Sequence, residues 1–369
     1  MRNSLNLAGA FVGIIVGAGF ASGQEVMQFF TNFGIYSFPA VLISMILFAF
    51  LGMQIAQLGS HMKSMSHKEI IYKICGRHIG VVADFILSFF LFGVGVVMLA
   101  GAGSIFEQQL GVSASVGSMA MTLAVMVTLL FNVKSIMRII SAVTPFLLAI
   151  MIILAAYSFF TTDTIFAEIK SFSNVEAAAA PNWVLSTFLY VSFNIAVGFS
   201  MLAVMGGTIR SKKEAGIGGV IGGVLLGILL LLINAGMLAN LDQLHGVEMP
   251  TLYIANQISP VFGTLLTIAL LAMVYNTAVG MIYAFAVRFI PAESKRFKVS
   301  VIVLCLVGFC SSFFGFTTLV GTVYPIMGYF GFVLIAGVTV SWFRADHKAS
   351  NVIGEKIYFQ EINTEIEAD

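Results

Sequence analysis

The stretch GAGFASGQE, residues 17–25, interrupts the first long apolar segment of the chain. Its glycines supply a loose backbone, and Ser22 and Glu25 have the S-x-x-E spacing of a capping box, a signature of a helix start. Here the signature lies inside a segment long enough to span a membrane. We therefore predict that the first span breaks into two half-helices, the second beginning near Ser22. The alternative is a glycine-facilitated kink that only eases helix packing.

The composition of the chain is that of an integral membrane protein. Hydrophobic residues make up 59% of the 369 positions and charged residues only 9%, whereas a soluble domain carries about a quarter charged residues. The mean hydropathy is +1.01. The sequence has no paired Cys/His metal spacing, no P-loop and no GxSxG motif. We therefore expect neither an enzyme nor an organic cofactor, and no nucleic-acid partner.

The apolar segments predict an all-α polytopic protein with ten transmembrane helices, since about 20 apolar residues cross a bilayer as one helix. They form one transmembrane domain, residues 1–343, followed by a cytoplasmic tail, residues 344–369, that we expect to be mobile. Between the seventh and eighth spans, MPTLYIANQISP (residues 249–260) predicts a short external helix. The ten spans are residues 5–31, 35–58, 80–106, 114–132, 138–160, 183–207, 215–240, 262–289, 298–317 and 320–343.

The distribution of basic residues orients these spans. With the N-terminus in the cytoplasm, 17 of the 18 Lys and Arg residues fall on the cytoplasmic side, and only Lys170 falls outside. Basic residues are enriched in cytoplasmic loops. The split predicts a multi-pass protein of the bacterial plasma membrane with both termini inside.

A second interruption lies in the sixth span, YVSFNIAVGFSMLAVMGG (residues 190–207), which carries Asn194, Gly198 and Ser200 in its middle. Ten spans divide into five and five, residues 5–160 and 183–343, and each half then begins with an interrupted span. Because five is odd, the halves enter the membrane from opposite sides. This pattern indicates an inverted repeat with broken first and sixth helices and a binding site between the breaks, as in secondary transporters.

The wording GAGFASGQEVMQFF (residues 17–30) resembles the YkvI-like family of bacterial membrane proteins, grouped with amino acid permeases. The ten spans resemble the wider amino acid–polyamine–organocation superfamily and its LeuT-like fold. The resemblance implies that the small-x-small motif Gly17-Ala18-Gly19 receives a substrate carboxylate. It also implies that Phe193, Gly198 and Phe199 form the matching part of the sixth span.

Sodium-coupled members of the superfamily hold an ion between the first and eighth spans. The matching positions are the carbonyls of Gly13 and Val16, with Asn276 and Thr277 opposite. The usual pair of adjacent hydroxyls is replaced here by Asn-Thr. The resemblance therefore leaves Na⁺ and H⁺ as alternative coupling ions.

Glu25 is an acidic residue well inside a span, where a carboxylate usually has a partner or a task. Three roles stay open: a structural cap, a carrier of the coupling proton, or an anion that attracts the amino group of a substrate. Asn194 is either an interhelical hydrogen-bond partner or a ligand at the second break. Ser22 and Ser200 are further candidates for substrate contact.

These observations together predict a secondary active transporter of a small amine-bearing solute, most simply an amino acid, driven by an ion gradient. The alternative function is a membrane sensor on the same fold that binds a small solute without moving it. Both need the lipid bilayer and a small-molecule ligand, and the oligomeric state stays open.

The topology is testable by labelling. Single cysteines introduced beside Lys170 and beside Lys212 are expected to react with a membrane-impermeant maleimide from opposite sides, because an odd number of spans separates them. In intact cells only the cysteine near Lys170 should label, and permeabilised cells serve as the control. Labelling of both positions from outside would contradict the orientation and the inverted repeat.

Overall fold

The first apolar segment does not form one helix. In this computed structural model it consists of α1 (Arg2–Ile15), the single turn α2 (Ala18–Ala21) and α3 (Gln24–Phe29). Gly23, between α2 and α3, has φ 80°, a left-handed conformation that costs glycine little and other residues more. The predicted break is therefore confirmed, with one extra turn between the two half-helices.

The structure describes residues 2–62, 67–131, 174–244, 246–290 and 294–366, and the single positions 149, 153 and 157. The described segments are helical, with short 3-10 turns at Thr31–Tyr36, Val175–Ala177 and Leu241–Gln243. The helices after the first span are α4 (Ser37–Met62), α5 (His67–Leu110), α6 (Ala114–Phe131), α7 (Trp183–Thr208), α8 (Lys212–Leu238), α9 (Pro250–Ile258), α10 (Pro260–Phe289), α11 (Lys295–Ser312) and α12 (Phe316–Ile366).

Five of these helices contain segments long and apolar enough to cross a membrane, and α7 makes a sixth when its bent halves are counted together. The molecule is thus an all-helical polytopic membrane protein. The predicted fifth span, residues 138–160, lies almost wholly outside the described residues, so the count of ten stays a prediction. α12 continues as helix through Ile366, and the division at residue 343 also stays a prediction.

The sixth span bends where a break was predicted. α7 is a continuous helix, and its parts Trp183–Phe199 and Met201–Thr208 meet at 53°. Gly198 lacks the positive φ that Gly23 has, so its backbone stays helical. The predicted interruption of the sixth span is therefore present as a bend between Phe199 and Met201, not as a run of non-helical residues.

The short external helix predicted from residues 249–260 is present as α9. Pro250 stands in its first turn, where the missing N–H costs no helical hydrogen bond. Ser259 then caps the start of α10 by accepting a hydrogen bond from the N–H of Val261 at 3.2 Å. α9 therefore forms a separate helix between two long ones.

Helix contacts follow the pairing that two inverted halves require. α4 packs most extensively on α8, and α5 packs closely on α10. The contact of α4 with α7 has its counterpart in the contact of α1 with α8. Each pair joins one helix of the first half to one of the second, which places α1 and α7 side by side in the middle of the bundle.

Glycines set the spacing between α4 and α8. A Cβ at Gly223 would overlap the backbone of Ala49, and one at Gly219 would overlap the backbone of Gly52. Small residues at such positions let two membrane helices approach closely, and close packing is what holds helices together in lipid.

We expect Gly223→Ala to lower the melting temperature of the purified protein, because the added methyl group has only helix backbone to displace. Overpacking of this kind costs about 1–3 kcal/mol. Gly9→Ala is the matched control, since nothing lies within 4 Å of a Cβ placed on that exposed helical glycine. Equal melting temperatures for the two variants would contradict this account of the α4–α8 contact.

Candidate functional site

A cavity of about 300 Å³ lies where the first span is interrupted. Its walls come from the end of α1 and the break, and from α5, α7, α10 and α12. The structure brings together nine of the residues singled out in the sequence: Gly13, Val16, Gly17, Gly19, Glu25, Phe193, Asn194, Asn276 and Thr277.

The end of α1 presents a carbonyl group without its helical partner. The N–H of Gly17 donates to the carbonyl of Ile15 at 2.8 Å, whereas in a continuous α-helix it would donate to that of Gly13. Gly13 itself is one of the residues that line the cavity. Broken spans of transporters use such carbonyls to hold cations.

Glu25 lies on α3 with its side chain buried, 5% exposed, and lines the cavity. Its Oε2 has no hydrogen-bond partner within the described part of the chain. The carboxyl group lies against Gly19: a Cβ built on that glycine would be 2.7 Å from the carboxyl carbon of Glu25. The carboxyl group of Glu25 therefore occupies space that a side chain at position 19 would fill.

Of the three roles left open for Glu25, the structural cap is not the one that the structure shows. The hydroxyl of Ser22 donates to the carbonyl of Gly19 at 2.8 Å and accepts from the N–H of Gln24 at 3.2 Å. Because Gly23 is left-handed and α3 begins at Gln24, the capping contact falls one residue earlier than a capping box requires. The carboxylate of Glu25 is turned to the cavity instead.

The α7 wall is formed by Phe193, Asn194 and Val197, two of them in the predicted set. Asn194 donates from its Nδ2 to the carbonyl of Tyr190 at 3.0 Å, a bond within its own helix. This leaves the side-chain oxygen as an acceptor. Phe193 stacks on Tyr324 of α12, with ring centroids 4.8 Å apart and 24° between the planes.

An aromatic cluster encloses the cavity beside α3. Tyr190 is fully buried, and its hydroxyl has no hydrogen-bond partner among the described residues. Its ring packs on Phe29, Phe30 and Phe193 at centroid distances of 4.8–5.4 Å. Tyr324 lines the same cavity as Glu25.

The α10 wall carries residues that the sequence analysis missed. Met273 and Met281 flank Asn276 and Thr277 on one helical stripe, and Val94 and Met98 face them from α5. The i, i+4 and i+8 spacing of the two methionines around the polar pair was the available signal. Tyr324 was also missed; its signal was a tyrosine beside Pro325 in the middle of an apolar span.

Three predicted site residues do not line the cavity. Ser22 closes the break as described, and Phe199 is buried in the core. Gly198 faces α1, with Ile15 3.2 Å from a Cβ built there, so its role is close packing of the two interrupted spans. The side chains of Ala18 and Ser200 lie outside those that the structure describes.

α9 covers the break. Thr251 donates from its hydroxyl to the carbonyl of Ala21 at 2.5 Å and from its N–H to the carbonyl of Ser22 at 3.0 Å. The Gln108 side chain of α5 exchanges two hydrogen bonds of 3.0 Å with the main chain of Met249. α9 is thus bonded to the frame and to the break, and it closes that side of the molecule.

On the opposite side the cavity continues. A second cavity of about 440 Å³ shares Val94, Val197 and Met281 with the first and extends to Arg288 near the end of α10. Its walls are otherwise mostly apolar. The two cavities therefore share part of their walls, and the second extends the open space from the break toward the end of α10.

The electrostatics of the central cavity are set by one group. Glu25 is the one acidic side chain in the lining of this cavity, and no Lys, Arg or His stands among the described residues there. No group of three or more His, Cys, Asp or Glu residues able to hold a metal ion occurs in the described ranges. The described lining of this cavity therefore carries one acidic side chain and no basic side chain to balance it.

No protein-family model matches the chain. It is 27% identical over 338 residues to the membrane protein YkvI of Bacillus subtilis, covering 90% of this chain and 94% of that protein. It is also 27% identical over 327 residues to the Bacillus subtilis protein YyaD, covering 88% and 92%.

Solved transporters share the fold. MhsT in complex with L-phenylalanine has a TM-score of 0.60 at 15% identity, with 89% of this chain and 87% of that chain covered. Mhp1 in its inward-facing conformation has a TM-score of 0.57 at 15% sequence identity, with 90% of this chain and 76% of Mhp1 covered. A mutant of the manganese transporter of Eremococcus coleocola has a TM-score of 0.56 at 13% sequence identity, with 89% of this chain and 76% of the transporter covered.

These neighbours are transporters, not enzymes, and they share the LeuT-like architecture that the two interrupted spans predicted. The chain is therefore a homologue of the bacterial membrane protein YkvI, built on the LeuT-like transporter fold.

Proposed function

We propose that this protein is a secondary active transporter that moves a small amine-bearing solute across the bacterial plasma membrane by alternating access. The observation that carries the proposal is the buried Glu25 carboxylate in a cavity at the broken first span, whose Oε2 has no hydrogen-bond partner among the described residues. A buried carboxylate is costly unless a partner offsets it. An ammonium group of the solute is the partner that fits.

The two sides of the cavity support alternating access. Its α9 side is closed by the hydrogen bonds of Thr251, and its opposite side continues into the cavity that ends near Arg288. With both termini in the cytoplasm, as the basic residues predict, this is an inward-facing state. Movement of α3 with α9 against the frame of α4, α5, α8 and α10 would exchange the two openings.

The size and chemistry of the cavity limit the solute. A volume of about 300 Å³ is at the small end of the range for ligand sites, roughly 300–1,000 Å³. Phe193, Met98 and Met273 supply apolar surface beside Glu25. Amino acids, which the family resemblance predicts, and simple amines both fall within this class.

An ion gradient would drive the movement, and Na⁺ is the ion we propose. The Gly13 carbonyl that lost its helical partner lines the same cavity as Asn276 and Thr277, whose side chains are half-buried. Carbonyl, amide and hydroxyl oxygens are the ligands that hard cations prefer. The alternative is a proton carried by Glu25.

The proposal is tested by uptake into proteoliposomes. Labelled amino acids and small amines are supplied under an imposed Na⁺ gradient, a pH gradient, or neither, and empty liposomes are the control. We expect accumulation of at least one amine-bearing solute above its equilibrium level under a gradient. Saturable binding without net uptake under any gradient would contradict the transporter function and favour the alternative, a membrane sensor on the same fold.

The ion site is tested by Thr277→Val. Loss of one hydroxyl ligand is expected to raise the Na⁺ concentration needed for half-maximal uptake by about tenfold, roughly the 1.4 kcal/mol of one good contact to a cation. The order of preference among solutes should stay unchanged. The uptake assay above, titrated with Na⁺, makes the measurement.

Thr267→Val is the matched control on the same helix. Its hydroxyl donates to the carbonyl of Gly263 at 2.8 Å, and it does not line the cavity. Uptake that does not depend on Na⁺ in the unmodified protein would remove the ion site and leave the proton.

A further inference from the structure

We infer that the solute recognised by this cavity is an amine that carries no carboxylate, so that Glu25 supplies in the protein the carboxylate that an amino acid would bring with it. The inference rests on the proposed function and names the substrate class of the same site. It is carried by the place of the Glu25 side chain, by the excess of acceptors around it, and by the lack of a cationic partner in the lining.

The first step concerns space. The Glu25 carboxyl group lies on Gly19, with its carboxyl carbon 2.7 Å from where a Cβ would stand. The carboxyl group thereby occupies the space beside the broken span, between Gly17 and α3. A solute carboxylate that sought the free peptide groups there would first have to displace Glu25.

The second step concerns charge. No described lining residue is Lys, Arg or His, so a second carboxylate in the cavity would find no cation to pair with. Two carboxylates within one cavity of this size repel each other strongly, since the effective dielectric constant inside a protein is far below that of water. A zwitterion would gain one favourable contact and suffer one unfavourable contact, whereas a simple amine gains the first alone.

The third step concerns hydrogen bonds. An ammonium group has three donors and no acceptor. The residues that line the cavity hold acceptors to match: the carboxylate of Glu25, whose Oε2 has no partner among the described residues, the side-chain oxygen of Asn194, whose Nδ2 is used within the helix, and Gly13, whose carbonyl has lost its helical partner. The donors of the ammonium group can therefore all be satisfied.

The fourth step concerns the rest of the molecule. Opposite the acceptors the lining is apolar and adaptable, with Met98, Met273 and Met281 as unbranched thioether side chains. Methionine accommodates different apolar shapes. The stacked rings of Phe193 and Tyr324 present aromatic surface to a nearby cation. The solute is thus an aliphatic or arylalkyl amine of about the size of an amino acid side chain.

The test compares matched pairs that differ only in the carboxylate: isopentylamine with leucine, 3-(methylthio)propylamine with methionine, and phenethylamine with phenylalanine. Binding to the purified full-length protein is measured by titration calorimetry, and uptake by the proteoliposome assay. We expect the amine of at least one pair to bind at least about 30-fold more tightly than its amino acid, the range for one uncompensated buried charge.

The outcomes separate this inference from the function beneath it. Amino acids that bind and accumulate as well as, or better than, their amines would overturn the inference and leave the transporter intact. Binding or uptake of neither member of any pair would overturn the proposed function itself.

A variant makes the test sharper. Glu25→Ala removes the anion and opens the space on Gly19, so its preference should move toward the amino acid of each pair by at least about 30-fold relative to the unmodified protein. Glu25→Gln keeps the shape, and it should lose amine affinity without gaining the amino acid. Glu248→Gln is the control, since that half-buried carboxylate lines a different cavity beside Gln24 and Gln28. An unchanged preference in both Glu25 variants would show that Glu25 does not select the solute.

Discussion

Peptide groups that have lost their helical partners inside a membrane span are the constraint on which this structure depends. In the hydrocarbon core such groups find no water, so protein must surround them or a cavity must hydrate them. Here each break has its own solution. The carbonyls of Ala21 and Ser22 accept hydrogen bonds from Thr251, that of Gly19 accepts one from Ser22, and Gly13 lies in the wall of the cavity. The position of α9 and the walls around the cavity follow from this requirement.

The same constraint explains how the protein keeps a carboxylate at this depth. Placing an acidic side chain at the centre of a span costs about 2.5–3.5 kcal/mol on insertion scales, so its exposure to lipid is unfavourable. Glu25 avoids that cost because the turn at Gly23 directs α3 so that the side chain points into the bundle. The glycine at position 19 then leaves room for the carboxyl group. The position of the Glu25 carboxyl group therefore depends on Gly23, which sets the direction of α3, and on Gly19, which leaves the space that the group occupies.

Much of the fold could be predicted from the sequence, because the signals for it are local. The glycines and the serine of residues 17–25 mark the break, and Pro250 and Ser259 mark the ends of α9. The form of the sixth span could not be predicted this way. Gly198, like Gly17, is a glycine in the middle of an apolar span. It nevertheless packs against Ile15 and keeps a helical backbone.

The cavity lining contains predicted residues of the first, sixth and eighth spans, together with residues of α5 and α12 that were not predicted. Gly13, Glu25 and Thr277 lie where polar or small residues interrupt apolar segments, which a sequence displays directly. Val94, Met98 and Tyr324 enter the cavity from helices distant in sequence, and their apolar character is that of any membrane span. Only the packing of α5 and α12 against α7 and α10 selects them. The cap, one of three roles left open for Glu25, is absent for a related reason, because one left-handed residue shifts the start of α3.

The attachment of α9 at both sides has a consequence for the resting balance of the molecule. Gln108 fixes the start of this helix to α5, while Thr251 fixes it to the break, so α9 links the two. The two hydrogen bonds of Thr251 are worth about 1–3 kcal/mol together, which favours the arrangement that contains them by about 5- to 150-fold. A threonine outside the central cavity thereby contributes to the free-energy difference between the covered break and any arrangement in which α9 has left it.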